Sequence, residues 1–533
     1  MLHHFPFRPE FLELILGLCA GLLLFVFRVH AGGYLRRMAR RKALWIVVSA
    51  LLGPSVRLAL LPLAAVPVPV IHDEFVHLLA ADTLRQGRVA NPPHPFSDHF
   101  ETIYVLQKPA YAASYPLGIG ASLALGWILT GQPWFGVWLS MVLCCGAVAW
   151  LQYRWNAPLA ALTGSLLFSL VFGISSQWIN TYWGGAVAGA GGALVFGALP
   201  GLWQTARLRY AVILGAGWTL MWFVRPYESA IVGLVIAACV LRKKLWPAAA
   251  VLGAVVALDL AGTCYHNWRV TGDPLTLPYQ LTQKRYGVPQ GFIWQKEIPA
   301  PESVNPQQMA AYEWQRDSFR VAQSFISRYL NFKRVWAFYL GYPLTIPLLF
   351  ALFADRKRGT QIMFWLTGIC LAWSLLYWQL VPHYLAAIAG LLMALVSRGL
   401  VRMAHWRVRS VPVGAYLAGA LWIASALSGL RIMYPWILLG GPDTLPARAV
   451  IAGQLASSPE RHLVFVRFGP HDDVHVPWIY NDAAIDEAKV VWANDLGLER
   501  NEQLVRYFAN RRVWLVEPDG DSKLKAYTGI QTR

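Results

Sequence analysis

VIHDEFVHLLAADTLRQGRVAN, residues 70–91, sets two adjacent carboxylates, Asp73 and Glu74, in a segment too polar to span a membrane, inside a chain whose other long runs are apolar. Pro67 and Pro69 end the apolar run before it, because proline removes an amide donor and clashes with the preceding helical turn. From His72 the pattern becomes amphipathic, with Phe75, Leu78, Leu79 and Leu84 on one side. This predicts a helix lying along the membrane surface. Asp73 and His77 are four apart and share a face, while Glu74 points about a quarter-turn away. A carboxylate held there is a natural proton acceptor. Acidic residues in a first helical turn are also what capping and the helix dipole favour, so both readings apply to the pair.

The 533 residues are 56% hydrophobic and 14% charged, with mean hydropathy +0.42. That is the composition of an α-helical polytopic membrane protein. The net charge of +18 does not indicate nucleic acid, because the basic residues cluster between apolar runs: 36–42, Arg207 and Arg209, 242–244, 356–358, and 398–409. Such clusters mark cytoplasmic loops. Of six cysteines, only Cys264 lies outside an apolar run, so no disulfide framework is expected.

Working outward from residue 70, the run 11–29 is expected to be a helix that enters from outside. The alternative is a signal peptide, with VHA before Gly32 as its cleavage site, but cleavage there would send RRMARRK across the membrane. A second helix, 43–65, then delivers Asp73 to the outer face. Residues 116–130 reach only about 22 Å, short of a hydrocarbon core of about 30 Å, and are read as a juxtamembrane helix. Further spans are expected near 133–151, 157–174, 183–200, 211–224, 228–241, 245–263, 336–354, 360–378, 381–397 and 412–440, about twelve in all. The pair flanking Arg225 could instead form a re-entrant hairpin.

A membrane domain, 1–440, would thus carry external loops 66–132 and 264–335. The second loop contains NWRVTGDPLTLPYQLTQKRYGVPQGF (267–292), where Pro, Gly and Asp mark turns and Tyr, Trp and Phe supply stacking surfaces. A small external α/β domain, 441–533, follows, with strands at 462–468, 490–493 and 512–517 and a helix at 501–510.

With this topology the polar motifs share the outer face: HDE (72–74), QKPAYAASYPLG (107–118), QWINTYWGG (177–185), RPYE (225–228), the loop from Cys264 to Val335, and QLVPHY (379–384). A site open to lipid and to external water suits a lipid-borne substrate, and no phosphate-binding GxxxxGK[ST] loop is present. A lipid-phosphate leaving group needs cations, and Lys108 and Arg225 are the candidates nearest the membrane. The plainer readings are a snorkelling Lys108 and an Arg225–Glu228 ion pair. His383 and Tyr384 are candidates to bind phosphate or sugar, or form a packed polar turn. Trp178, Tyr182 and Trp183 form a sugar-stacking wall or an interfacial aromatic belt. Tyr115 and Glu228 complete the candidate substrate-binding set. HDDVH (471–475) reads as a solvated loop.

The order of these elements resembles the C-type membrane glycosyltransferases, above all the bacterial branch with the lipid A aminoarabinose transferase and, more distantly, protein O-mannosyltransferases. The matching residues are Asp73 and Glu74 in HDEF, Lys108 and Pro109 in QKPAYAASYP, and loosely Arg225 in RPYE and His383 in PHY. The chain departs from that branch in one extra helix at its start and in KPAY where KPP is common.

The resemblance implies a polyprenyl-phosphate-linked sugar donor and an envelope glycan, lipid or protein acceptor. It implies inverting transfer at the periplasmic face of a bacterial inner membrane, with Asp73 as general base and Glu74 orienting the acceptor. Lys108, Arg225 and His383 would hold the phosphate. Some relatives place a divalent metal at the acidic pair and others do not. The rivals are a transporter or flippase of a lipid-linked or anionic substrate and a scaffold presenting the terminal domain. The absence of an inverted repeat and of an ionisable chain across the spans weighs against transport.

Overall fold

The computed structural model describes residues 9–27, 32–241, 243–287, 291–301, 305–355, 357–434, 445–469, 472–520 and 522–527. The VHA triplet, Arg242, Arg356, the boundary at 440–441, the end of the 412–440 span and His471 lie outside them. The chain is mostly helical and divides into two compact units, Met1–Pro67, Phe135–Asp259 and Ser324–Pro442 forming one, and Val68–Trp134, Leu260–Gln323 and Asp443–Arg533 the other.

Among the described residues six helices are long and apolar enough to cross a membrane: Lys42–Ala59, Trp134–Trp155, Ala186–Thr205, Trp246–Thr271, Pro382–Met403 and Val413–Met433. Phe325–Tyr339 and Gly341–Phe353 make a seventh if taken as one span, bent by 88°. Other segments expected to span are shorter helices, including Pro158–Gly173, Leu208–Trp222 and Pro226–Val240.

In the first unit close packing depends on small residues, which let helix backbones approach. A Cβ on Gly192 would lie 2.0 Å from the Ala387 carbonyl oxygen. Only glycine there lets Ala186–Thr205 press against the turn that carries His383 and Tyr384. Arg57 is fully buried and donates to Asn180 Oδ1 (2.6 Å) and to the carbonyls of Ala64 (2.8 Å) and Ala65 (2.9 Å). It thereby satisfies carbonyls that the chain leaves open after Lys42–Ala59 ends.

The second unit is built on a four-stranded sheet. A short hairpin pairs β1 (Val105–Leu106) with β2 (Ala112–Ala113). The sheet contains β3 (Arg461–Val466), β4 (Val490–Asn494), β5 (Arg511–Val516) and β6 (Lys525–Ala526), in the order β4-β3-β5-β6. The first three are parallel and β6 is antiparallel.

Alternation along β3 divides its side chains between two cores. Leu463 and Phe465 join Val76, Leu79 and Ala80 of the helix His72–Arg85, here the HDEF helix. Val464 and Val466 join Ile451 and Leu455 of the helix Ala447–Ser457. A helix on each face explains why β3 reads as a continuous apolar run. Behind the HDEF helix lies Leu117–Thr130, where a Cβ on Gly120 would be 2.7 Å from Ala80 Cβ.

Two expectations change. The apolar side of the HDEF helix is expected at Phe75, Leu78, Leu79 and Leu84, of which only Leu79 is buried; burial extends over Val76, His77, Ala80, Ala81, Asp82 and Thr83, because sheet and helix cover the helix from two directions. The stretch 267–292, where Pro, Gly and Asp mark turns, has its turn at 272–276 and then the helix Pro278–Tyr286, and Pro306–Ala322 lies farther along the same loop. Their prolines occupy first-turn positions, where the missing amide costs nothing, and Asn305 caps the second by accepting from the amides of Gln307 and Gln308.

Candidate functional site

The candidate residues fall into two groups, one in each unit. In the second unit, Glu74 Oε2 accepts from the backbone amides of Val70 (2.7 Å) and Ile71 (3.2 Å), and the side chain is 1% exposed. The glutamate thus caps its own helix, where a negative charge also meets the positive end of the dipole. Asp73 is only half-buried. Its Oδ1 accepts from the Tyr115 hydroxyl at 2.6 Å.

Tyr115 also lies against His77, ring centroids 5.3 Å apart, and is flanked by Tyr104 (5.3 Å) and Tyr279 (6.1 Å). Asp73 and His77 therefore share a face as the spacing predicted, with Tyr115 linking them. Burial, and after it the charge of Asp73, push the Tyr115 phenol well above its ordinary value, so it stays protonated and donates.

The Lys108 side chain is 56% exposed and its Nζ stands 3.8 Å from Asp98 Oδ1, while Arg500 Nη2 binds Asp98 Oδ2 at 2.6 Å. The Lys108 carbonyl accepts from Arg285 Nη1 at 2.9 Å. Beside this exposed basic group, burial and then Asp98 raise the Glu101 carboxyl, while Arg285 and Lys108 pull it down.

The first unit gathers the other candidates. Arg225 places its guanidinium carbon 4.0 Å over the Tyr384 ring, a cation–π contact. Glu228 attracts it electrostatically without a salt bridge within 4 Å among the described residues, so the ring contact stands beside the charge of Glu228. Glu228 is half-buried in the first turn of Pro226–Val240.

Tyr384 packs against Tyr377 (5.2 Å) and His383 (4.7 Å), and His383 against Trp183 (4.6 Å). Arg328 Nη1 fixes this turn by donating to the carbonyls of Leu375 (2.7 Å) and Tyr377 (2.6 Å), and Tyr339 donates to the carbonyl of Pro382 (2.6 Å). Arg225, His383, Tyr384 and Trp183 are thus brought together.

Two aromatics leave the proposed wall. Trp178 is fully buried among Phe168, Phe172, Phe338 and Tyr339, neither stacking surface nor interfacial belt. Tyr182 is buried and donates its hydroxyl to the Pro67 carbonyl at 2.9 Å.

No group of three His, Cys, Asp or Glu able to hold a metal occurs among the described residues. With Glu74 Oε2 bound to two amides and Asp73 Oδ1 to Tyr115, the acidic pair does not fit a metal site.

Sequence reasoning missed His72 and Tyr480. His72 Nε2 is 2.6 Å from the Val474 carbonyl and Nδ1 3.0 Å from the Tyr480 hydroxyl. The adjacency of His72 to the acidic pair was the only signal available, since nothing in the local sequence marks Tyr480.

No protein-family model and no curated protein matches the chain. Solved structures similar to it include ArnT from Cupriavidus metallidurans bound to undecaprenyl phosphate, at 14% identity and TM-score 0.48, covering 90% of this chain and 93% of that one. The oligosaccharyltransferase of Archaeoglobus fulgidus in complex with Zn and sulfate follows at 14% identity and TM-score 0.47, covering 89% of this chain and 67% of that one. The same archaeal enzyme, AglB, in complex with an inhibitory peptide and a dolichol-phosphate gives 13% identity and TM-score 0.47, covering 89% and 69%. At 13–14% identity and TM-scores of 0.47–0.48 these likenesses assign no role to this chain.

Proposed function

We propose that the protein transfers a sugar from a polyprenyl-phosphate donor to an envelope glycan, lipid or protein at the outer face of a bacterial inner membrane. The observation that carries this reading is the unequal use of the acidic pair: Glu74 is buried and caps its helix, while Asp73 is partly open and oriented by Tyr115. A hydroxyl acceptor becomes a competent nucleophile when its proton has a base to go to. Asp73 takes that proton as the acceptor oxygen bonds to the anomeric carbon. The bond from that carbon to the phosphate oxygen breaks, and polyprenyl phosphate leaves as the anion with inversion at the sugar.

Arg225 suits the phosphate, since a guanidinium offers paired donors to its oxygens, and the Tyr384 ring beneath it fixes its plane. His383 and Trp183 lie beside this contact, and Lys108 offers a second, exposed cation. Tyr182 and Glu228 complete the proposed substrate-binding set, Tyr182 beside Trp183 with its hydroxyl on the Pro67 carbonyl and Glu228 from the helical turn after Arg225. The stretch 441–533 serves as an external domain.

Mass spectrometry of envelope glycolipids, glycans and glycoproteins from cells with and without the protein tests the proposal. A sugar present only with the protein names the reaction. Identical envelopes under conditions where the protein is made overturn it.

A further inference from the structure

The segment joining β3 to β4 lies along the HDEF helix and is tied to it along its length. Near the start of the helix, the Val474 carbonyl accepts from His72 Nε2, and Tyr480 meets both His72 and Phe75. Farther along, the Ala483 amide donates to Asp82 Oδ2 at 2.8 Å, and the Tyr111 hydroxyl donates to the Asn481 carbonyl at 2.9 Å.

Tyr480 touches the residues on either side of the acidic pair. Its ring stacks on Phe75 with centroids 4.9 Å apart and planes 22° from parallel. Its hydroxyl lies 3.0 Å from His72 Nδ1 and 2.7 Å from the Ile103 carbonyl. Burial holds His72 down at about 4, so near neutral pH the ring carries one proton. With Nε2 donating to Val474, Nδ1 is an acceptor, and the single Tyr480 proton serves both it and Ile103. Burial, and to a lesser degree the charge of Asp73, push the Tyr480 phenol well up, so that proton stays in place.

We infer that Tyr480 is a positioning residue for Asp73: from the terminal sheet it fixes the first turn of the HDEF helix and so sets the direction of the Asp73 carboxylate. The inference rests on Asp73 being the base. A base displaced by about 1 Å loses up to about 10²-fold in rate, although nothing that touches substrate has changed.

The test compares full-length wild type, Tyr480→Phe and Tyr111→Phe in detergent. Tyr480→Phe keeps the stacked ring and loses the hydroxyl. Tyr111→Phe loses another hydrogen bond to the same segment, away from the acidic pair. Two quantities are read: hydrogen exchange of residues 71–76, and transfer of the sugar identified by the envelope comparison, presented on undecaprenyl phosphate.

Tyr480→Phe should raise exchange at 71–76 about five-fold, the equivalent of one neutral hydrogen bond, and leave 461–466 unchanged. It should lower kcat by about 10- to 100-fold at unchanged donor KM, while Tyr111→Phe stays near wild type in both. Unchanged exchange in Tyr480→Phe, or equal loss of kcat in both variants, overturns the inference. If wild type transfers no sugar while exchange responds as expected, the transferase reading falls and the positioning of the first turn by Tyr480 stands.

Discussion

Replacing Asp73 by Asn separates basicity from shape. The Asn amide oxygen can still accept from Tyr115 across the 2.6 Å that Asp73 Oδ1 now spans, so helix and tyrosine cluster should hold. What disappears is the capacity to take a proton, and general-base assistance is worth about 10²- to 10⁴-fold, or roughly 3–5 kcal/mol of barrier.

Glu74→Gln tests the opposite assignment. Its Oε2 holds two amides at the helix start; the glutamine oxygen keeps those acceptor positions and loses the charge, which costs about 0.3–1 kcal/mol of helix stability. Transfer should fall only a few-fold. Single-turnover transfer with donor prebound isolates the chemical step, and thermal unfolding of each variant reports the fold. Near-normal transfer in Asp73→Asn with abolition in Glu74→Gln would exchange the two roles. Normal transfer in both would refute general-base catalysis by this pair.

Arg225→Gln should weaken donor use by about ten- to a hundred-fold, the worth of one charged contact of about 1.5–3 kcal/mol; Tyr384→Phe, which keeps the ring beneath the guanidinium, should cost less than Tyr384→Ala, and equal losses would refute the stacking role. Lys108→Met should reduce turnover at limiting donor by a similar factor, and unchanged turnover would leave Lys108 only its contact with Asp98. Burial lowers the His72 and His99 imidazoles to about 4 from an ordinary 6.5. The unfolded chain therefore binds more protons between those values, and the contribution to stability is full above about pH 6.5 and lost as pH falls toward 4, by at most roughly 3 kcal/mol apiece. Hydrogen exchange of β3 should accelerate over that window, and a flat profile would refute it. With native cysteines removed, cysteines replacing Arg40 and Arg358 should resist an impermeant thiol reagent in intact cells while those replacing Pro93 and Gln454 react; the reverse pattern would invert the topology.

What could be read from sequence followed the range of the interaction. The spacing of Asp73 and His77 placed both on one helix face, and the apolar strands of the terminal sheet were legible because burial on two faces leaves a continuous run. That Glu74 would cap its helix was also readable, since its position in the first turn is the whole reason. Tyr115 lies 42 residues from Asp73, and Tyr480 lies 408 from His72. No periodicity reports such pairs. Pro278 misleads because proline signals both a turn and a first helical position, and the helix it opens is not marked by a side-chain cap at Leu277. Local spacing offers Arg225 the neighbouring Glu228 as a partner, whereas the ring it stacks on arrives from residue 384.

The separation between His72 and Tyr480 also sets an order in time. A ribosome adds about 5–20 residues each second, so the HDEF helix is complete for about 20–80 s before its partner tyrosine exists. Throughout that interval Val76, Leu79 and Ala80 have no β3 to cover them, and His72 has no Val474 carbonyl. The nascent chain therefore carries this apolar stripe without its sheet partner until β3 is made. A ribosome that stops before β3 leaves a chain whose HDEF helix has Leu117–Thr130 against one side and no sheet against the other.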